Sequence, residues 1–76
     1  MNTLNDLLRA GQRGRILDVA GDDAVAVRLM EMGLTEGAEI ELIGFAPLGD
    51  PVEFLIRGYR LSLRKTEASR VTIDLL

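Results

Sequence analysis

Val52-Glu53-Phe54-Leu55-Ile56-Arg57-Gly58-Tyr59-Arg60-Leu61-Ser62-Leu63 is the stretch on which the fold turns. Val52, Phe54 and Ile56 fall on one face and Glu53 and Arg57 on the other, the period of two that a half-buried strand requires. Gly58 permits a tight reversal into Tyr59 to Leu63, so the stretch predicts a β-hairpin. Toward the N-terminus, Glu39 to Phe45 alternates Ile40 and Leu42 against Glu39 and Glu41, Pro47 ends that strand, and Leu48-Gly49-Asp50-Pro51 makes a turn. Toward the C-terminus, Thr66 to Ser69 reads as a single turn, and Val71, Ile73 and Leu75 alternate with Arg70, Thr72 and Asp74 in a closing strand.

Further out, Gly21-Asp22-Asp23 places acidic caps before Ala24 to Met32, where Val25, Leu29 and Met32 recur at helical spacing and Gly33 suits a left-handed C-cap. Arg15 to Ala20 carries the residues of a first strand. Thr3 to Leu8 reads as a short helical turn with Thr3 as N-cap, Asp6 three residues on, and Leu4, Leu7 and Leu8 facing the core. Five short strands and one inserted α-helix predict a mainly β domain over residues 1–76, a small SH3-like five-stranded barrel whose closure removes exposed sheet edges. An OB-like barrel is the alternative, because periodicity does not assign strand order.

Composition narrows the function. Seventy-six residues hold one domain and one core, and a chain of this size buries only about 60% of its unfolded surface, enough for a binding face but not for a deep cleft. The 47% apolar and 28% charged balance is that of a folded domain. With no Cys and no His, thiolate and imidazole metal ligands and thiol nucleophiles are excluded, leaving carboxylates, hydroxyls and carbonyls for any cation. Ser62 and Ser69 have no evident base and no phosphate-binding Gly-rich loop is present, so an enzyme is not expected and no cofactor is implied. No apolar run reaches membrane-spanning length and no leader pattern opens the chain, so a cytoplasmic location is expected. Net charge is −3, with four Arg against ten acids in residues 1–56 and five bases against two acids in residues 57–76. That balance, with one Tyr and no Trp, argues against a nucleic-acid binder.

Three further segments carry a family resemblance: Arg28-Leu29-x-x-Met32-Gly33-Leu34-x-x-Gly37, then Ala46-Pro47-Leu48-Gly49-Asp50-Pro51, then Arg57-Gly58-Tyr59-Arg60-Leu61-Ser62-Leu63-Arg64-Lys65-x-x-Ala68. With Leu4-x-x-Leu7-x-x-x-Gly11 before them and Val71-x-Ile73 after them, in this order and spacing, the chain closely resembles the FeoA family of ferrous iron transport proteins over nearly its whole length. The resemblance implies an SH3-like protein that works with FeoB, the membrane GTPase and ferrous permease, through its cytoplasmic part, so the protein would sit at the inner membrane through that partner without inserting. A related domain closes metal-dependent repressors of the DtxR type. Because no DNA-binding helices precede the barrel, the stand-alone form is expected, with a fragment of a larger protein as the alternative.

Each candidate working residue has a structural reading beside the functional one. Met30, Leu34, Phe45 and Leu48 either cluster as an apolar contact patch, which would also favour weak self-association, or are simply core. Asp22 and Asp23 with Glu36, Glu39 or Glu41 supply oxygens for a hard cation, the basis of a metal-responsive regulatory domain as one rival function, while helix capping accounts for the two Asp on its own. Arg57, Arg60, Arg64, Lys65 and Arg70 form a basic stripe, with Arg57 and Arg60 expected to meet across the hairpin turn. It is either a solvated face, a surface complementary to an acidic partner, or, in the second rival, part of an RNA-binding barrel.

Overall fold

The computed structural model of the protein describes residues 1–76. Six antiparallel strands form one sheet: β1 (Asn2–Thr3), β2 (Arg13–Val19), β3 (Glu39–Phe45), β4 (Val52–Ile56), β5 (Tyr59–Leu63) and β6 (Val71–Leu75), in the spatial order β1-β6-β2-β3-β4-β5. Helix α1 (Ala24–Glu31) lies between β2 and β3, and a short helix α2 (Lys65–Ala68) between β5 and β6. The mainly β architecture with an inserted helix is the one expected. Two details differ. A two-residue strand, too short to carry periodicity, pairs Asn2 with Ile73 and Thr3 with Thr72. The ladder also does not close, so β1 and β5 remain edges.

The predicted hairpin is present, with Ile56 opposite Tyr59 and a two-residue turn between them. Arg57 belongs to that turn rather than to the strand face: Arg57 and Gly58 take φ of 51° and 83°, the doubly left-handed pair whose twist matches that of the flanking strands. Two bulges adjust the alternation. Pairing slips between Ile16 and Asp18 in β2 and between Leu42 and Gly44 in β3, so Leu17 is pushed outward and Phe45 lands opposite Val52 at the open end of the sheet.

At the start of the chain Thr3 Oγ1 accepts from the Asn5 N–H (3.2 Å) while the Thr3 N–H donates to Asp6 Oδ2 (2.8 Å), a reciprocal cap. The turn it starts, Leu4–Asp6, is a 3-10 helix. Three residues per turn keep Leu4 and Leu7 on one buried face and swing Leu8 off it into solvent, where α-helical spacing had placed it on the core. All eighteen members of the core are apolar, and no polar or charged side chain is buried.

Helix α1 ends at Glu31, with Met32 as C-cap and Gly33 at φ 99°. The Gly33 N–H donates to the Met30 carbonyl (3.0 Å) and the Leu34 N–H to the Leu29 carbonyl (3.2 Å), the paired bonds of a Schellman motif. That motif folds the residue after the glycine back onto the helix, and Leu34 is accordingly 0% exposed. Leu34 is thus a core residue, and its expected place in a surface patch is corrected.

Candidate interaction surface

The 3-10 turn, the end of β3 and the start of α2 converge on a shallow apolar groove of about 330 Å³, lined by Leu4, Leu7, Leu8, Phe45 and Val52 with Lys65 at its rim. Backbone-directed hydrogen bonds hold the convergence. Asn5 Nδ2 donates to the Lys65 carbonyl (3.0 Å) and the Lys65 N–H donates to Asp50 Oδ1 (3.0 Å), so one residue of α2 is tied to both neighbouring segments. The Lys65 ammonium lies 5.8 Å from the centroid of the Phe45 ring, within cation–π range. Beside the groove, the Ala46–Pro51 turn is closed by Gly49 N–H to the Ala46 carbonyl (2.7 Å) and Ala46 N–H to the Pro51 carbonyl (3.0 Å), with Leu48 on it 97% exposed. Leu8 and Phe45 are 68% and 45% exposed. Three large apolar side chains in water, converging on one region of a small domain, are the kind of surface that marks a contact site.

The expected patch was differently composed. Met30 is 41% exposed and shares the outer side of α1 with Val27, but no α1 residue lines the Phe45 groove. Phe45 therefore groups with Leu8 and Lys65 on the groove, and Leu48 stands exposed on the turn that follows Phe45, rather than either joining Met30 and Leu34. Leu8 was legible only as a third apolar residue in a helical turn; the one-residue difference between 3-10 and α-helical spacing moved it to the surface.

The basic stripe separates into individual roles. Arg57 Nη2 donates to Thr35 Oγ1 (2.8 Å) and its Nε to the Gly33 carbonyl (3.4 Å), bracing the hairpin turn against the end of α1, while Arg60 reaches Glu53 at 3.9 Å. The two guanidiniums thus serve different neighbours instead of meeting across the turn. Arg70 Nη1 donates to Asp23 Oδ1 (2.6 Å), and Arg28 pairs with Glu67, whose other oxygen accepts from the Arg64 N–H (2.9 Å). Among the nine bases, Arg9, Arg57, Arg64 and Lys65 have no carboxylate within 4.0 Å.

Asp23 caps α1, its carboxylate accepting from the Ala26 N–H (3.1 Å) as well as from Arg70. The Arg70 hydrogen bond, aided by the Ala26 N–H, holds the Asp23 carboxyl below the ordinary carboxylate range, and the same contact raises Arg70. Asp22, Asp23 and Glu36 are not gathered into a group of three that could hold a metal ion, and neither is any other acidic set. Ser69 Oγ donates to the Thr66 carbonyl (2.7 Å), a local turn bond with no general base beside it. No helix is long and apolar enough to cross a membrane.

An antiparallel sheet wrapped on one apolar core, without a buried polar side chain and with an apolar surface groove, defines a small mainly β domain. Comparison with known proteins makes this specific: residues 2–75 match the FeoA domain family, and the chain belongs to it. FeoA from Chlorobium tepidum is 41% identical and superposes with a TM-score of 0.87, covering 99% of this chain and 70% of that one. Stenotrophomonas maltophilia FeoA, solved with zinc and described as a prokaryotic SH3 domain protein, is 31% identical with a TM-score of 0.82, covering 97% and 91%. The SH3-like fold is thereby shown. The manganese-activated repressor ScaR shares only this fold, at 18% identity and a TM-score of 0.80 over 97% of this chain and 35% of that one. A Porphyromonas gingivalis protein that fuses Fe(2+) transport protein A to the Fe(2+) transporter FeoB is 35% identical over 69 residues, which span 91% of this chain but 8% of the fusion.

Proposed function

We propose that this protein is a non-catalytic accessory module of ferrous iron uptake that binds the cytoplasmic part of a FeoB-type transporter and modulates its assembly or activity. The observation that carries the reading is the Porphyromonas fusion, in which a domain similar to nearly all of this chain is joined covalently to the transporter. Fusion supplies a high effective concentration, an arrangement that favours two domains whose contact is functional. Binding places this protein in the cytoplasm, at the membrane through its partner rather than by insertion.

The contact face is centred on Phe45 and Leu48, with Leu8 beside them and Lys65 as the cation at the groove rim. Burying Leu8, Phe45 and Leu48 is favourable by roughly 25 cal/mol per Å² of apolar surface removed from water, before the ordering and desolvation costs of association are subtracted. Met30 on α1 and Arg57, Arg60 and Arg64 on the hairpin side lie outside that groove; the arginines orient the encounter by charge, and Met30 adds apolar contact at the edge.

The test is a pull-down of the purified chain against the cytoplasmic domain of FeoB from its own organism, with and without nucleotide, beside Leu48→Glu. Capture of the wild type and loss with a folded Leu48→Glu supports both the partner and the face. No capture in any nucleotide state, nor with the full-length transporter, defeats the partner assignment. A large rise in melting temperature specific to Mn²⁺ or Fe²⁺ would favour a metal-responsive regulatory domain instead.

A further inference from the structure

The sheet ends on β5, which pairs with β4 alone, so one side of a five-residue strand carries no ladder. The two-residue turn fixes which groups are left over. In an antiparallel hairpin the residues flanking such a turn exchange both backbone bonds and the pattern alternates from there. Tyr59, Leu61 and Leu63 therefore point their N–H and C=O toward β4, and Arg60 and Ser62 point theirs away. Neither residue's backbone N–H or C=O enters any turn, loop or side-chain hydrogen bond. The opposite edge, β1, is only two residues long and runs straight into a capped 3-10 turn, which blunts it.

The space beside the end of β5 is open. A depression of about 280 Å³ separates Ser62, Leu63 and Arg64 from Arg28 of α1 and its C-cap Met32, with Glu67 also on its wall, room for a short extended segment beside the strand. Its surroundings are cationic: Arg64 has no carboxylate within 4.0 Å, Arg57 has only the neutral Thr35 hydroxyl and Gly33 carbonyl as partners, Arg60 and Glu53 are 3.9 Å apart and both open to solvent, and Arg28 is paired with Glu67. Glu67 and Glu53 offset Arg28 and Arg60, which leaves the charges of Arg57 and Arg64 without a carboxylate partner.

We propose that the free edge of β5 takes a short, extended, acidic segment of a partner protein as an added strand. Backbone bonds from Arg60 and Ser62 would supply the pairing, and Arg57, Arg60 and Arg64 would select for Asp and Glu at alternate positions, the division of labour typical of strand addition. A second copy of this chain fits poorly, because pairing two β5 edges brings two arginine-bearing strands side by side with no acid on either β5, and like charges on neighbouring strands repel. The inference does not rest on the transporter reading, and its test shares no partner with it.

A library of random heptapeptides displayed on phage, panned on the full-length chain, supplies the probe. The expected winners are rich in Asp, Glu and β-branched residues and free of Pro. Synthesised, they slow amide exchange at Arg60 and Ser62 by about tenfold or more, and bind Ser62→Pro and the double variant R60E/R64E at least about tenfold more weakly. Proline suits this test because the Ser62 N–H makes no native bond and edge strands tolerate Pro at outward N–H positions. If Ser62→Pro does not fold, the wild-type exchange data and R60E/R64E carry the decision. The inference is overturned if nothing is selected, if Pro-rich or basic peptides win, or if acidic peptides leave exchange at Arg60 and Ser62 unchanged. It is equally overturned if sedimentation shows a dimer that Ser62→Pro abolishes, or if a single-stranded oligonucleotide displaces the peptides.

Discussion

Where α1 meets the sheet the conspicuous side chains are spoken for, although Val27 and Met30 on its outer side stay in water, whereas at the Phe45 end several converge unpartnered. Around α1, Asp23 caps the helix and holds Arg70, Gly33 lets the chain turn, Leu34 folds into the core, and Arg57 braces the hairpin on Thr35 and Gly33. Around Phe45 the backbone is equally well tied through Asn5, Asp50 and Lys65, yet Leu8, Phe45 and Leu48 stay in water. Each region contains residues of the motifs that resemble FeoA: Gly33, Leu34 and Arg57 at one end, Leu48, Asp50 and Lys65 at the other. The difference teaches that such motifs mix residues that make the fold with residues that the fold presents, and that burial separates the two.

The largest way to break the contrast is at Leu34. Leu34→Ala should cost about 2–5 kcal/mol, the range for emptying a fully buried leucine site, and in a domain this small should leave little cooperative unfolding in a urea titration. A cost near zero would place Leu34 on the surface after all. Next comes Gly33→Ala, which forces an L side chain into φ 99° and puts its Cβ 2.9 Å from the Tyr59 hydroxyl. About 1–2 kcal/mol of destabilisation is expected from the backbone alone, read by the same titration.

A smaller effect tests Asp23. Because its carboxyl titrates below the ordinary range when folded, the folded state binds fewer protons than the unfolded chain. The Asp23 share of stability is therefore present above the unfolded carboxylate pKa, about 3.9, and is lost as pH falls through that value and toward the lower folded one. Asp23→Ala should melt earlier than wild type at neutral pH and converge on it in acid. Parallel curves at all pH values would mean that the Arg70 contact adds nothing.

How much of this was legible follows from the range of each interaction. The hairpin, the Asp23 cap and the Gly33 C-cap are local, each set by a few neighbouring residues, and periodicity and capping chemistry found them. β1 and the bulges at Leu17 and Ile43 depend on partners far along the chain, so no local pattern marks them. The surface divides likewise. Sequence alone groups Phe45 and Leu48 with Met30 and Leu34 as a patch or as core, but the companions Asn5, Leu8 and Asp50 come to this end only through contacts with Lys65 and the groove, some fifteen to sixty residues apart in sequence. Arg57 and Arg60 are neighbours in sequence that serve different elements, which charge patterning alone does not reveal.

The smallest expected change in stability is at Leu48, and it sharpens the contrast most. Leu48 sits at 97% exposure on a turn closed by backbone bonds, so Leu48→Glu removes no packing and opens no cavity. Surface substitutions of this kind stay within about 0.5 kcal/mol, and the urea midpoint should hardly move. Binding is another matter: a carboxylate at the centre of a contact that excludes water must be desolvated, and the Lys65 cation at the groove rim is already committed to the Phe45 ring. An unchanged midpoint with lost capture of the transporter's cytoplasmic domain would show that the Phe45 end exists for a partner. A midpoint that falls as far as that of Leu34→Ala would show instead that Leu48 packs as core and that the two ends of the molecule do not differ.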